Sequence, residues 1–114
     1  MKFNRFEEIV AWQKAKSLTI NLYAIFDNSR DFSFKDQIQK ASVSIMNNIA
    51  EGFERKTNNE FKYFLYVAKG SCGEVRSMLH LSFELHKIDE VSNIENTKMT
   101  EEISKMLSGL IKTL

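Results

Sequence analysis

Few side chains in this sequence are suited to acid-base, nucleophilic or metal chemistry. Catalysis of these kinds needs paired groups within reach of one another, and beyond the carboxylates the candidates are His80, His86 and Cys72. On a helix through this region, His80 falls on the solvent side and His86 near an apolar arc, so the imidazoles do not converge. No Glu-x-x-His pair occurs, and His80 with Glu84 is one pair without further ligands. We therefore expect no enzymatic activity, no cofactor and no metal site.

The single cysteine is expected to be structural. Cys72 has no partner for an intrachain disulfide, which suits a reducing cytoplasm, and a lone cysteine is most often a small core residue. The segment 70–73 around it also differs from a phosphate-binding loop, because it lacks the lysine and the preceding strand. We expect the Cys72 thiol to be buried and unreactive.

Polar residues recur every three or four positions between Ser44 and Arg55. At about 100° per residue, they form a narrow stripe beside the apolar face of one helix. A glutamate and an arginine four residues apart on a largely buried helix need partners, because an unpaired buried charge costs several kcal/mol. We expect a polar network that sets the register of two helices, with a catalytic site as the alternative. Its expected members are Ser44, Asn48, Glu51, Arg55, Ser71 and Glu74.

Basic residues slightly outnumber acidic ones between Lys35 and Arg76. The whole chain has a formal net charge of only +1, so nucleic-acid binding requires a local patch. The expected RNA or DNA contacts are Lys35, Lys40, Lys56, Lys62, Lys69 and Arg76. The alternative is that these residues lie on ordinary solvated helix faces.

The elements that carry these residues are predicted to be long helices. The 114-residue chain contains no proline and only four glycines, too few to punctuate many strands and hairpins. Apolar residues also step by three and four along the chain, which is typical of amphipathic helices. The predicted helices span about residues 5–26, 34–54, 58–86 and 97–113.

Residues that can cap helix N-termini precede three of these helices. Asn4 stands before the first and Ser33 before the second. Thr57 stands before the third helix, with Glu60 at capping-box spacing. Short loops between long helices make neighbours antiparallel, so we expect an all-α, up-down-up-down four-helix bundle. No linker or repeat suggests a second domain, so residues 1–114 are predicted to form one.

Two of the predicted helices have more apolar surface than one small bundle would bury. The second is also apolar on the side away from its polar stripe, and the third carries tyrosines and glycines opposite its core arc. A glycine inside a helix costs ~1 kcal/mol relative to alanine, which close approach of another helix would offset. Simple exposure is the alternative. The expected interface of a homo-oligomer comprises Met46, Ala50, Phe53, Tyr63, Tyr66, Gly70 and Gly73.

The N-terminal segment predicts neither export nor membrane insertion. It carries acidic residues early and has no apolar core of the signal-peptide type. The longest uncharged runs, 17–26 and 41–50, are each about half of the ~20 residues that span a bilayer. We expect a cytoplasmic protein.

The segment from Ser44 to Arg55 resembles the signature of the 23S rRNA intervening-sequence proteins, Ser-Ile-x-x-Asn-Ile-Ala-Glu-Gly-x-x-Arg. Where that family often has a proline and an arginine, this chain has Met46 and Lys40. The match covers most of the chain. It extends to Val10, Trp12, Lys14, Ala15, Gln37, Ala41, Phe61, Phe64, Leu65, Ala68, Gly70, Ser71 and Glu74.

The resemblance implies a four-helix subunit that assembles as a ring, commonly a pentamer, without an established enzymatic activity. The chain is also similar to accessory proteins of diversity-generating retroelements, which bind nucleic acid and a reverse transcriptase and are typically more basic. We therefore predict a non-enzymatic oligomer that binds RNA or DNA weakly through repeated basic patches. The alternative is a purely structural or protein-adaptor oligomer without nucleic-acid binding.

Overall fold

Four α-helices and one turn of 3-10 helix make up the computed structural model, which describes residues 3–114. The 3-10 turn is Phe6–Glu8, and the α-helices are α1 (Val10–Phe26), α2 (Phe32–Phe53), α3 (Asn58–Glu84) and α4 (Glu90–Lys112). No strand occurs among the described residues. The all-α prediction is confirmed.

Side-chain pairs between helices show that neighbours run antiparallel. Lys14 near the start of α1 pairs with Glu102 in the second half of α4, whereas Asn21 further along α1 bonds Asn96 earlier in α4. The same reversal relates α2 to α3. The helices form an elongated bundle of 43 × 22 × 19 Å. The up-down-up-down prediction is therefore confirmed.

Apolar side chains at three- and four-residue steps fill the centre of the bundle. Each helix contributes completely buried aliphatic residues, and burying one such side chain contributes about 1.5–3 kcal/mol. The most deeply buried include Leu18, Leu22, Ile38, Ile45, Ile49, Leu65, Leu79, Ile103 and Leu107. These are the positions that the amphipathic spacing predicts, because one apolar stripe of a helix must face its neighbours.

The first two helices begin differently from the prediction. Residues 6–8 form a separate 3-10 turn, and the Asn4 backbone N–H donates to Glu8 Oε1 at 3.0 Å instead of the Asn4 side chain capping α1. The expected cap at Ser33 is also wrong, because Asp31 Oδ1 accepts from Phe34 N at 3.2 Å. A carboxylate there bonds a free N–H and also interacts favourably with the helix dipole.

The fourth helix begins at Glu90, a full two turns before the predicted start at 97. Asp89 caps it, with Oδ1 accepting from Ser92 N at 2.8 Å. The two additional helical turns include Asn96, a polar residue that faces the bundle. It is 3% exposed, and its Oδ1 accepts from Asn21 Nδ2 at 3.2 Å. A polar residue at a core position breaks the apolar pattern, so periodicity alone missed this part of the helix.

The third helix has the predicted cap but ends at Glu84, before the predicted residue 86. Thr57 Oγ1 accepts from Glu60 N at 3.1 Å, so that cap is confirmed. His86 follows the helix with φ 58°, and Lys87 N donates back to Ser82 O at 2.9 Å. This is a Schellman ending, in which the residue at C′ takes the left-handed conformation. His86 is exposed beyond the helix, so its expected place near the apolar arc is wrong.

Candidate functional site

Helices α2 and α3 approach each other closely at Gly52. A Cβ atom added there would lie 2.7 Å from Phe64 Cβ and 3.0 Å from Phe61 Cδ1. Real Cβ atoms do not come so close, so any side chain at this position would push the helices apart. The glycine of the signature segment therefore sets the spacing at which the polar residues of α2 meet α3.

Three of the six predicted network residues meet in one cluster at this contact. The hydroxyl groups of Ser44 and Ser71 are 2.9 Å apart, which joins α2 to α3. Asn48 Nδ2 donates to Ser44 O at 2.7 Å and to Ser44 Oγ at 3.0 Å. All three residues are half-buried. Hydrogen bonds between polar groups in such a place can fix the register of the two helices.

The expected burial of Glu51 and Arg55 is wrong. Arg55 Nη2 lies 2.8 Å from Glu51 Oε2 and Nη1 lies 3.8 Å from Glu60 Oε2, but the Arg55 and Glu51 side chains are 44% and 54% exposed. The guanidinium group also lies 4.8 Å from the centre of the Phe64 ring. These charges stand at the solvent edge of the α2–α3 contact, where water hydrates them. The pair is therefore a surface ion pair.

The remaining predicted member, Glu74, is separate from the serine cluster. Its Oε2 accepts from Gln37 Nε2 at 3.3 Å, on the opposite side of Ser71 from the ion pair. The residues expected to form one network therefore form three separate groups along the interface between α2 and α3. Gln37 stands seven residues before Ser44, so its heptad spacing from the polar stripe was the available signal.

The structure brings together three of the six predicted nucleic-acid contacts. Lys62, Lys69 and Arg76 are spaced by seven residues along one edge of α3, and we call them the α3 row. They form no ion pair among residues 3–114. Lys35 Nζ instead donates to Asp27 O at 2.9 Å. Lys40 is exposed on α2 and Lys56 in the loop that follows, so neither belongs to the row.

The predicted interface residues divide between the inside and the surface of the subunit. Met46 and Phe53 are half-buried and pack against the core of the same chain. Tyr63 and Tyr66, by contrast, are 63% and 59% exposed on α3. Ala50 is half-buried, and a Cβ added at Gly70 or Gly73 would meet nothing within 4 Å. Within one subunit, then, no helix approaches these two glycines.

Among the described residues, Cys72 and His80 lie in different environments, one buried and one exposed. Cys72 is buried as predicted, and its thiol donates to Thr100 O at 3.0 Å. Burial raises the pKa of this thiol to about 11, and the nearby Arg76 charge only partly opposes the shift. His80 is exposed on α3. No group of three His, Cys, Asp or Glu side chains in residues 3–114 is placed to hold a metal ion.

Sequence reasoning passed over three lysines on α4. Lys98, Lys105 and Lys112 are exposed, form no ion pair within the described chain, and repeat every seven residues, and we call them the α4 row. Their identical spacing to the α3 row was the available signal. The apolar stripe of this helix is the stronger pattern and masks the lysine spacing in the sequence.

None of the helices over residues 3–114 combines the length and apolar character needed to cross a bilayer. The described part of the chain therefore contains no α-helical membrane span.

Comparisons with known proteins agree with this architecture. The sequence profile of a family described as 23S rRNA-intervening sequence protein matches residues 7–109. No curated protein matches the chain. A similar solved structure is a Bacteroides thetaiotaomicron protein of unknown function from the S23 ribosomal protein family, with 24% identity and a TM-score of 0.83. The alignment covers 90% of this chain and 98% of that one, which shows a shared fold.

Proposed function

The chain belongs to the 23S rRNA-intervening sequence protein family, and we propose that it is a non-enzymatic, cytoplasmic homo-oligomer that binds RNA or DNA weakly. In this proposal, the subunits form a ring of five, as the resemblance implies, and each contributes the same basic patch. Multiplicity supports the idea, because several weak contacts on one assembly give useful avidity.

The observation that carries the nucleic-acid part is the α3 row. Three cations stand on one edge of one helix without carboxylate partners in the described chain. Cations placed in this way can neutralise phosphates and release counterions, which is the main source of non-specific affinity for nucleic acid.

The observation that supports self-association is the bare outer face of α3. Tyr63 and Tyr66 are largely exposed there, and the backbone is uncovered at Gly70 and Gly73. Large aromatic side chains beside glycines suit a close helix contact with another subunit, since the missing Cβ atoms let backbones approach.

The proposal that the protein is not an enzyme rests on Cys72 and the two histidines. A thiol whose pKa is raised to about 11 is protonated at neutral pH and is a poor nucleophile. His80 and His86 are both exposed, and neither accompanies the buried thiol. Neither histidine therefore activates the Cys72 thiol.

Two measurements test the proposal. Light scattering coupled to size exclusion at micromolar concentration should give about five times the 13.3 kDa subunit mass; a monomer contradicts self-association, and a dimer contradicts the ring. Titration with RNA and DNA should show weak, sequence-independent binding that moderate salt removes. Tight binding that survives high salt would contradict the electrostatic mechanism.

A structural or protein-adaptor oligomer without nucleic-acid binding is the second candidate. It is favoured by an apolar end of the bundle, where α1 and α3 finish and α2 and α4 begin. Eight of the eleven large apolar side chains that are exposed in the described chain lie there. They are Ile20, Tyr23, Phe32, Leu81, Phe83, Leu85, Val91 and Ile94. Such a patch is a common protein-docking surface, and an absence of salt-dependent nucleic-acid binding would select this candidate.

A further inference from the structure

The end of the bundle where α1 and α3 finish and α2 and α4 begin, which we call the apolar end, comprises residues 20–38 and 78–96. These ranges are the last two turns of α1 and α3, the first two turns of α2 and α4, and the loops between them. All four helices contribute to its eight exposed large apolar side chains, whose exposed fractions lie between 36% and 67%. So many exposed apolar side chains at one end of a small subunit indicate a docking surface.

The apolar end is also the acidic part of the molecule. It carries seven acidic and three basic residues of the 15 and 16 in the chain, which leaves eight acidic and thirteen basic residues elsewhere. Two of its cations are already bonded, because Lys87 pairs with Asp31 at 3.2 Å and Lys35 donates to Asp27 O at 2.9 Å. The exposed carboxylates of this end that form no ion pair within residues 3–114 are those of Asp27, Asp36, Glu84, Asp89, Glu90 and Glu95. A surface that is both apolar and negative selects a partner by charge as well as by shape.

Two clefts beside the start of α4 give this surface depth. A cavity of about 410 Å³ lies between α3 and α4, and its lining includes His80, Ile94, Lys98 and Glu101. Another cavity, of about 220 Å³, lies between the end of α1 and the start of α4, with Glu95 in its lining. Lys98 and Glu101 balance each other in the first cleft, so the excess negative charge comes from the surrounding carboxylates. Side chains of a bound segment can enter on both sides of α4.

The cleft between α3 and α4 also has unused hydrogen-bonding capacity. Within residues 3–114, the buried side-chain oxygens that lack a partner are Ser82 Oγ, Asn93 Oδ1 and Thr97 Oγ1. Asn93 and Thr97 line the cavity. Oxygens accept hydrogen bonds, and the N–H groups of lysine and arginine side chains only donate them. A cationic side chain in this cleft would therefore supply what these oxygens lack.

We infer that the apolar end binds a basic amphipathic helix of a partner protein. On such a helix, apolar residues form one stripe and lysine or arginine residues flank it, which matches exposed apolar side chains surrounded by carboxylates. The long stems of lysine and arginine also cover apolar surface while their charged ends reach the carboxylates. This inference goes beyond the proposed function, because it depends neither on nucleic-acid binding nor on the number of subunits in the assembly.

The charge of the apolar end argues against other occupants. Nucleic acids and anionic lipid surfaces carry charge of the same sign and are repelled. The same end of a second copy would bring seven further carboxylates to the contact, and like charges facing each other disfavour association. A basic segment is the occupant whose charge complements this end.

The test uses three synthetic peptides of about 18 residues, long enough to form several helical turns. The first has leucines at amphipathic helical spacing and lysines at the other positions. The second has glutamate in place of each lysine, and the third has the composition of the first in an order that gives no apolar stripe. Fluorescence anisotropy of the labelled peptides measures their affinity for the full chain at low and at physiological salt. Only the first peptide should bind well.

The apolar contact is tested by Ile94→Gln, with Val10→Gln at the other end of the bundle as the matched control. These two side chains are 57% and 49% exposed on helix surfaces, so both variants should fold, which circular dichroism would verify. Ile94→Gln should weaken binding of the leucine-lysine peptide by about fivefold or more, because the apolar area that the complex buries is lost. Val10→Gln should change it by less than about twofold.

The charge contact is tested by two triple variants with the same change in net charge. The variant of the apolar end combines Glu84→Gln, Glu90→Gln and Glu95→Gln, and the control combines Glu54→Gln, Glu74→Gln and Glu102→Gln. None of these six residues is buried. The first variant should weaken peptide binding by about tenfold or more at low salt, and the control by less than about threefold. The difference between them should shrink at high salt, because salt screens exposed charges.

Several outcomes would overturn the inference. The basic peptide might be bound no better than the acidic or the reordered one, or a variant and its control might lose affinity equally. If Ile94→Gln lowers the mass measured by light scattering, a second copy covers this end. If it releases the protein from phosphatidylcholine vesicles, a membrane does. Titration of the wild-type protein with RNA and DNA remains a separate test of the proposed function, so failure of one can be distinguished from failure of the other.

Discussion

At the scale of single residues, Gly52 and the neighbouring charged pair show that the position of a residue decides how much its substitution destabilises the fold. Gly52 faces Phe61 and Phe64 at distances that no Cβ could occupy. Glu51 precedes it in the chain yet points to solvent with Arg55. Within residues 51–55, therefore, one residue limits the approach of two helices and two others form a surface ion pair.

We predict that Gly52→Ala destabilises the fold by about 1–3 kcal/mol, because the added methyl group forces a shift in packed backbone and rings. Urea unfolding followed by circular dichroism measures the change. The matched control is Gly109→Ala on α4, where an added Cβ meets nothing within 4 Å. That variant should instead stabilise by roughly 1 kcal/mol from helix propensity. A neutral Gly52→Ala would show that the helices can separate freely.

The exposed pair leads to a different prediction from the one that the sequence suggested. Glu51→Ala and Arg55→Ala should each cost at most about 1 kcal/mol, because water hydrates whichever partner remains. The several kcal/mol expected for a buried pair would not apply. Thermal unfolding at low and high salt measures both variants. A loss above about 2 kcal/mol in either would place the pair in a desolvated environment, such as a subunit interface.

At the scale of the elements, helix ends are held by specific side chains and by one left-handed residue. Asp31 and Asp89 cap α2 and α4, and Thr57 caps α3. The end of α3 turns at His86, a residue with a Cβ in a conformation that favours glycine. The caps fix the residue at which each helix begins after the chain reverses direction. The turn at His86, by contrast, contains backbone strain that a substitution by glycine would remove.

We predict that His86→Gly stabilises the protein by about 0.5–1 kcal/mol, because glycine adopts positive φ without steric cost. The matched control is His80→Gly in the interior of α3, which should destabilise by about 1 kcal/mol. Urea unfolding of both variants gives the comparison. A destabilised His86→Gly variant would mean that the imidazole makes contacts that outweigh the backbone strain.

The aspartate caps predict a loss of stability in acid. The N–H of Phe34 lowers the pKa of Asp31, and the N–H of Ser92 lowers the pKa of Asp89. A carboxyl group whose pKa is lower in the folded state stabilises the fold above its unfolded pKa of about 3.9, and this contribution disappears as pH falls through the folded value. The melting temperature should therefore decrease when the pH is below about 4.

Asparagine also caps helices but does not titrate, so the double variant Asp31→Asn, Asp89→Asn isolates this effect. Its melting temperature should depend less on pH between about 4 and 2 than that of the wild-type protein. An identical pH profile in the two proteins would assign the acid sensitivity to other carboxyl groups.

At the scale of the whole molecule, different surfaces have different characters. The outer face of α3 carries exposed tyrosines and two glycines, and the end where α2 and α4 begin is apolar. The proposed assembly would use the first of these surfaces. A repeated heterologous contact that closes on itself forms a ring.

We predict that Gly73→Glu dissociates the proposed oligomer without unfolding the subunit. The new side chain has open space in the isolated subunit, but a desolvated, unpaired charge at a packed contact costs several kcal/mol. Light scattering coupled to size exclusion measures the mass, and circular dichroism checks the fold. Gly109→Glu on α4 is the control at another uncovered helical glycine. An intact assembly in the Gly73→Glu variant would place the interface elsewhere.

The sequence by itself determined the helical content, the core positions and the cap at Thr57. These depend on local information: spacing of apolar residues, absence of proline, and a threonine three residues before a glutamate. Two of the three predicted N-caps were wrong, since Asn4 and Ser33 have competitors nearby. Propensity identifies a helix better than it selects the exact residue at which the helix begins.

The features that depend on contacts between helices were decided only by the tertiary structure. Asn96 is buried because Asn21 of α1 provides a hydrogen bond, so α4 extends through a segment that is polar in sequence. Arg55 is exposed because it lies in the loop that follows the last residue of α2, Phe53. Helices α3 and α4 pack against each other as antiparallel neighbours, with the Cys72 thiol bonded to Thr100 O between them. Each result depends on the environment supplied by residues distant in the chain, and the spacing within one helix contains no information about that environment.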